Sequence, residues 1–467
     1  MKPINPNAKW KKLFSREYGV QYTEVSLHSL SNEVKGLAPF TFFEQIYVPE
    51  ENNQACFVDE NKWAAFLNKI QTEWVRKDVK KFQKLFFKIG KEYVDFAKKV
   101  AKLNLRNKDS KELIEIYSKY QRLCVRYTLF IWAAYFLNDF CAERARQLIQ
   151  KKLKDQDPHT YVDAIFSPLK KAAILELTRT VSAKDPLTKK EIKLLFEKYK
   201  WIPCLDLHNQ PWTFEEFKEH LKDFKKKERK QEMTYKQALE NLAVNKEEKK
   251  ILDNAKLFAY FKDLRDDFRR QGIFYIQNSL FKELANRLST NIRDMAYLQE
   301  NEIVKCLEKG IGCDKNLIEE RKKGFVIFYD SNKKIICISG HEIKNALIKL
   351  ELIKEESKAD LRGTPASKGI AKGKVAIVKG VKDLPNVQKG DILVAITTHP
   401  DYVPAMQKAV AIVTDEGGVT SHAAIVSREL GIPCIVGTKT ATNILQNGDF
   451  IEANGNTGLA RILKKKA

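Results

Sequence analysis

Residues 414–437 read TDEGGVTSHAAIVSRELGIPCIVG, and the reading of this stretch decides how the last part of the chain folds. The apolar run Ala411-Ile412-Val413 just before it has the length and β-branched content of a buried strand that stops at Thr414. Gly417 and Gly418 permit the backbone angles of a sharp strand-to-helix turn. Thr420 or Ser421 supplies the N-cap of a helix over about 421–430, and Leu430-Gly431-Ile432-Pro433 ends it. His422 therefore lies in the first helical turn.

Two consequences follow from that position. Unpaired amides and the positive end of the helix dipole disfavour an imidazolium, by roughly 0.3–1 kcal/mol at an exposed site. The same groups attract an anion such as a phosphoryl group. A neutral imidazole is a nucleophile, and phosphorylating its ring nitrogen places negative charge where those donors point. The Thr420 and Ser421 hydroxyls are candidates to add hydrogen bonds to the phosphoryl oxygens. The competing reading is a histidine that only helps to cap a helix.

Around this stretch, short β-rich runs (KVAIV, DILVAI, AVAIVT, CIVG, DFIEA, LARIL) alternate with glycine turns, the pattern of a compact α/β domain over 359–467. Twelve of the 20 glycines lie between Gly363 and Gly458, eight precede residue 346, and none falls between Gly90 and Gly272. A glycine-free stretch of that length with helical periodicity reads as all-α. Leu257, Phe261, Leu264 and Phe268 form one helical stripe, and capping boxes open helices at Thr188 with Glu191 and at Thr213 with Glu216. Residues 62–103 and 110–153 read as two long helices. GFVIFYDSNKKIICIS, at 324–339, alternates about a D-S-N turn and predicts a β-hairpin, followed by a helix over roughly 341–355 and the charged linker KEESKAD. The chain thus reads as multidomain: a mostly α N-terminal region over 1–320, with room for two subdomains, a hairpin-plus-helix linker over 321–358, and the α/β domain.

Composition narrows the setting. The 467 residues carry 83 Lys and Arg against 60 Asp and Glu, a formal charge of +23. Only 14 Lys/Arg against 8 Asp/Glu lie in 361–467, so most of the excess is upstream. That excess marks either a nucleic-acid partner or a lysine-rich genome, and its diffuse spacing with interleaved Glu favours the second. Eight scattered cysteines without a C-x-x-C pair argue against zinc and disulfide frameworks, so no metal site is expected. The start MKPINPNAKWKK lacks a signal-peptide core, and the most apolar run, YTLFIWAAYFL, is too short to cross a bilayer. A cytoplasmic protein with no membrane contact is the expectation.

The segment G-G-V-T-S-H-A-A-I-V-S-R-E-L-G-I-P-C-I-V-G closely resembles the phosphohistidine signature of the PEP-utilising enzymes' mobile domain, the family of phosphoenolpyruvate synthase, pyruvate phosphate dikinase and rifampicin phosphotransferase. The similarity extends from G-T-P-A-S-K-G-I-A-K-G-K-V (Gly363 to Val375) through G-D-I-L-V-A-I-T-T-H-P-D (Gly390 to Asp401) to N-G-N-T-G. It implies a swivelling β/β/α domain that carries a phosphoryl group on His422 between two sites. Gly417 and Gly418 match the turn glycines, and Thr420 matches a threonine whose phosphorylation regulates some relatives. Thr397, Thr398 and Asp401 match a loop near the histidine, with Thr397 and Thr398 as phosphoryl-site support. Arg428 and Glu429 match a segment read as structural. His399 is read as an exposed loop residue and Cys434 as a buried strand residue.

The departures matter equally. The region before residue 346 is too glycine-poor for an ATP-grasp domain and has no phosphate-cradling loop, and no PEP-binding barrel is evident. LFEKYKWIPCLDLHNQPWTFEEF (195–217) and FKDLRDDFRR (261–270) instead resemble the helical connector of the family's phosphotransferase-like branch. The reading is a phosphohistidine carrier needing a partner: a separate ATP-grasp or PEP-binding protein supplies magnesium and ATP or PEP, and the acceptor is an unidentified small molecule. A non-catalytic alternative makes the basic helical region a binding or scaffolding module with a vestigial or regulatory histidine domain. In that reading Trp63, Trp74, Tyr127, Trp132 and Tyr135 would stack on bases, whereas helical spacing favours a core role. A third reading places an acceptor pocket near Trp201 and Trp212, against ordinary packing there.

Overall fold

The computed structural model describes residues 8–31, 37–38, 40–51, 53–153, 157–166, 172–184, 186–223, 233–350, 352 and 361–465. The chain divides into two units. One comprises Met1–Ala134, Pro203–Pro211 and Arg265–Glu356, and the other Tyr135–Ile202, Trp212–Leu264 and Ser357–Ala467.

The first unit contains a sheet that the sequence reading foresees only in part. Strands β1 (Trp10–Arg16), β2 (Gln45–Glu50), β3 (Asn53–Asp59), β4 (Phe325–Tyr329) and β5 (Ile335–Ser339) pair in the order β1-β3-β2-β4-β5, every pair antiparallel. The expected hairpin is β4–β5, with Phe325 opposite Ser339 and Tyr329 opposite Ile335. Asp330 closes its turn by accepting the Asn332 and Lys334 amides at 2.9 Å. The hairpin is not free-standing, because β4 also pairs with β2. The helix that follows runs Glu342–Lys349, shorter than expected, and KEESKAD lies outside the described residues.

The helix expected over 62–103 is broken. Glu60–Gln71 passes through a π turn at Thr72–Lys77 into Val79–Val100, and Asp78 adopts extended angles and caps the Lys81 amide at 2.9 Å. Ser110–Leu153 forms one helix, as its periodicity predicts. Trp63, Trp74, Tyr127 and Trp132 are buried, so the base-stacking reading fails for them and the core reading holds. The stripe read on 257–268 does lie on one helix, and its Phe268 packs on Phe86, Phe87 and Tyr127, but it is not the most buried face. Only Phe261 of the four is buried, and the buried positions of the Lys246–Ile276 helix include Leu252, Phe258, Lys262, Arg269 and Arg270. Both capping boxes form, with the Glu191 and Glu216 amides donating to Thr188 and Thr213 at 3.3 Å.

The second unit carries the C-terminal α/β domain. Strands β6 (Thr364–Ser367), β7 (Ile370–Val378), β8 (Ile392–Ala395), β9 (Ala411–Thr414), β10 (Cys434–Val436), β11 (Phe450–Asn454) and β12 (Leu459–Lys464) form one sheet in the order β12-β11-β7-β8-β9-β10-β6. The central strands β7 to β10 are parallel, and β6, β11 and β12 join them antiparallel. Helices Val403–Lys408 and His422–Leu430 are the crossovers from β8 to β9 and from β9 to β10. Val375, Ile392, Val394, Val413, Ile435 and Ile451 form one buried core cluster, which Ala441 and Leu445 join. Among the described residues no helix is long and apolar enough to cross a membrane.

Candidate active site

In open α/β sheets, sites form where loops leave the carboxyl ends of adjacent parallel strands. His422 follows β9 and Thr398 follows β8, so the two lie at such a place. The Asp415 and Glu416 amides donate to the Ala395 and Ile396 carbonyls at 3.0 and 2.8 Å, extending the β8–β9 ladder to the turn. The buried Asp415 carboxylate then accepts from Thr438 Oγ1 at 2.8 Å, from the Thr442 amide at 3.1 Å, and from Ala441 N and Thr442 Oγ1. Sequence reasoning missed this anchor, although an Asp directly after a buried strand was a signal that could have found it.

Gly417 has φ +112°, and a Cβ there would lie 2.8 Å from Ser421 Cβ, so the turn needs glycine at this position. Gly418 has no such requirement, for an added Cβ would meet nothing within 4 Å. Ser421, not Thr420, is the N-cap: its hydroxyl accepts the Ala424 amide at 3.3 Å. Gly431, at φ +67°, closes the helix.

His422 is the first helical residue and is half-buried. Its Nδ1 lies 3.0 Å from Thr398 Oγ1, and its Nε2 has less than 1 Å² of exposed surface. Thr397 is half-buried on the same loop. Thr420 is turned elsewhere: its hydroxyl accepts from Asn138 Nδ2 at 3.0 Å, and only 3% of the residue is exposed. Its carbonyl accepts from Lys262 Nζ at 3.0 Å. Asn138 offered no local sequence signal, whereas Lys262 lies in the FKDLRDDFRR segment.

His399 is a correction. It is 8% exposed rather than on the surface, because Pro400–Tyr402 turns back beneath it. Its Nδ1 lies 3.2 Å from Asp401 and its ring packs edge-on to Tyr402, which uses Asp401 locally. Arg428 donates to the Ala366 and Val419 carbonyls at 3.0 and 2.8 Å and pairs with Asp163 at 3.0 Å. Burial holds its pKa below the ordinary guanidinium value, with Asp163 opposing that shift. Cys434 is buried in β10, and burial pushes its thiol up to about 12. Trp201 donates to the Lys198 carbonyl, and Trp212 packs on Phe217 and His220, which are ordinary packing contacts. A cleft of 710 Å³ opens at the start of β8, at the other end of that strand from His422. Among the described residues no group of three His, Cys, Asp or Glu side chains is arranged to hold a metal ion.

Residues 387–458 match the family described as "PEP-utilising enzyme, mobile domain". The expected likeness to a PEP-utilising enzyme mobile domain is thus found, and it lies in the C-terminal region. A phosphoenolpyruvate synthase of Pyrococcus furiosus is 55% identical over 105 residues, which are 22% of this chain and 13% of that protein. A probable phosphoenolpyruvate synthase of Archaeoglobus fulgidus is 54% identical over 114 residues, 24% of this chain and 15% of its own. One from Deinococcus radiodurans is 47% identical over 114 residues, 23% and 15% of the two chains. The chain therefore spans only a small part of the curated relatives it matches.

Proposed function

We propose that the chain is a phosphohistidine carrier of the phosphotransferase type, in which His422 Nε2 takes up a phosphoryl group and passes it on. The single observation that carries this reading is the Thr398 hydroxyl at 3.0 Å from His422 Nδ1, at the start of a helix in the mobile domain. With Nδ1–H donating to Thr398, the lone pair sits on Nε2 and is the nucleophile. That lone pair attacks the donor phosphorus, an N–P bond forms, and the donor's P–O bond breaks with its electron pair leaving on oxygen. The helix N-terminus favours the negative charge gained. An acceptor hydroxyl oxygen then attacks that phosphorus, a P–O bond forms, the N–P bond breaks with its electron pair returning to Nε2, and the acceptor's proton goes to solvent.

Phosphoryl transfer is chiefly positioning and charge neutralisation. This chain supplies the nucleophile and the amides, and a separate polypeptide with an ATP-grasp or PEP-binding site supplies magnesium and ATP or PEP. The acceptor is a small molecule. Labelled PEP or ATP, given to the protein with and without cell lysate, tests this. The expected result is an acid-labile, base-stable label that requires lysate and is lost in His422→Ala. Labelling without lysate would argue for a self-sufficient enzyme, and no label under either condition would refute the carrier reading.

A further inference from the structure

Ser421 does the helix capping, which leaves the identity of its neighbour Thr420 to be explained. Two helical segments of the same unit grip that residue. Asn138, fully buried on the Ser110–Leu153 helix, donates to Thr420 Oγ1 at 3.0 Å. Lys262, on the Lys246–Ile276 helix and 8% exposed, donates to the Thr420 carbonyl at 3.0 Å. The lysine ammonium also lies 3.8 Å from Asp139 and 5.2 Å from the centroid of the Tyr135 ring. Removing an ammonium from water is costly unless acceptors and charge compensate it, and a charged donor makes the stronger hydrogen bond. Side chain and main chain of a single residue are thus held at once, two positions before a histidine whose Nε2 has less than 1 Å² exposed. Arg428 with Asp163, and Lys368 with Asp157, further tie the α/β domain to the helical segments of its unit.

We propose that Asn138 and Lys262 are positioning residues that hold the histidine turn closed, with Nε2 shut from solvent, and that transfer at His422 requires their release from Thr420. The inference rests on the phosphocarrier reading for its purpose. The closed and released forms are two states of one equilibrium, and each contact to Thr420 that exists only in the closed form lowers the released population. The same closure excludes water from the nitrogen that would carry the phosphoryl group.

Diethyl pyrocarbonate, which acylates unprotonated imidazole nitrogens, reads this closure without any phosphoryl donor. The full chain is treated with the reagent, and modification of each histidine is followed by peptide mass spectrometry. Lys262→Met and Asn138→Ala are each expected to speed acylation of His422 about tenfold, equivalent to roughly 1.4 kcal/mol. His28 and His159 should keep their rates. Lys262→Arg, which retains a cationic donor, should stay near the parent rate. An unchanged rate at His422 in both variants would show that something other than this grip shields Nε2. A rise shared by all histidines would reveal general loosening, and either result overturns the inference while leaving the phosphocarrier reading standing. Conversely, a chain that opens as expected yet never takes a phosphoryl group refutes that reading alone.

Discussion

Replacing Thr398 by valine keeps the shape of a 5% exposed side chain and removes one hydroxyl, the atom 3.0 Å from His422 Nδ1. A neutral hydrogen bond contributes about 0.5–1.5 kcal/mol net, and leaving a half-sheltered ring nitrogen unmatched costs about 1–3 kcal/mol. The larger consequence is chemical. In the proposed arrangement His422 Nδ1–H donates to Thr398 Oγ1 and orients the ring, so removing the hydroxyl frees the ring to turn and lets the proton move to Nε2, the proposed nucleophile. A tenfold to hundredfold fall in labelling rate is expected, about 1.4–2.7 kcal/mol at roughly 1.36 kcal/mol per decade. The assay is the initial rate of acid-labile label at His422 from labelled PEP or ATP in lysate, run beside urea unfolding. Thr398→Ser, which restores the hydroxyl, should recover most of the rate. Wild-type labelling by the valine variant, or failure of serine to restore a lost rate, would refute the assigned role.

Three further outcomes are expected. Gly417→Ala places a Cβ 2.8 Å from Ser421 Cβ at φ +112° and should cost on the order of 1–3 kcal/mol in urea unfolding. Gly418→Ala, with nothing within 4 Å, should stay within about 0.5 kcal/mol, and equal costs for the two would contradict the turn geometry. Burial lifts Glu24 from 4.5 to about 7, against hydrogen bonds from the Glu300 amide at 2.8 Å and Gln299 Nε2 at 3.2 Å. The folded chain therefore holds a proton that the unfolded chain releases. This stabilisation is complete below about 4.5 and is lost as pH rises through about 7, a difference on the order of 3 kcal/mol. Unfolding free energy compared at pH near 5 and near 8 should fall more in the parent than in Glu24→Gln, and a parent that gains more would refute the assignment.

The histidine helix was legible because its signals are local. Ser421 caps one end, Gly431 closes the other, and glycine turns separate each short β run of the final domain. Strands β2 and β3 were not legible, because they present consecutive buried residues rather than alternation. A run buried on both faces has no period-2 signal. The break at Asp78 carried a readable cue, an Asp placed to cap the Lys81 amide, but apolar periodicity on both sides masked it. At the site, the sequence placed His422 in the first helical turn and left the cap open between Thr420 and Ser421, while the Thr398 contact entered only through family resemblance. Thr420 looked like a cap or phosphoryl ligand because local reading cannot see Asn138 or Lys262, which lie 282 and 158 positions away. His399 looked exposed because polar loop composition says nothing of the turn that folds Tyr402 beneath it.

Whether His422 Nε2 takes up a phosphoryl group is read most directly by phosphorus NMR of the full chain after exposure to labelled PEP or ATP in cell lysate. The spectrum should show one N-phosphoryl resonance, stable in base, lost in acid and absent from His422→Ala. A resonance that persists in that variant, or phosphate found on another residue, would contradict the central claim.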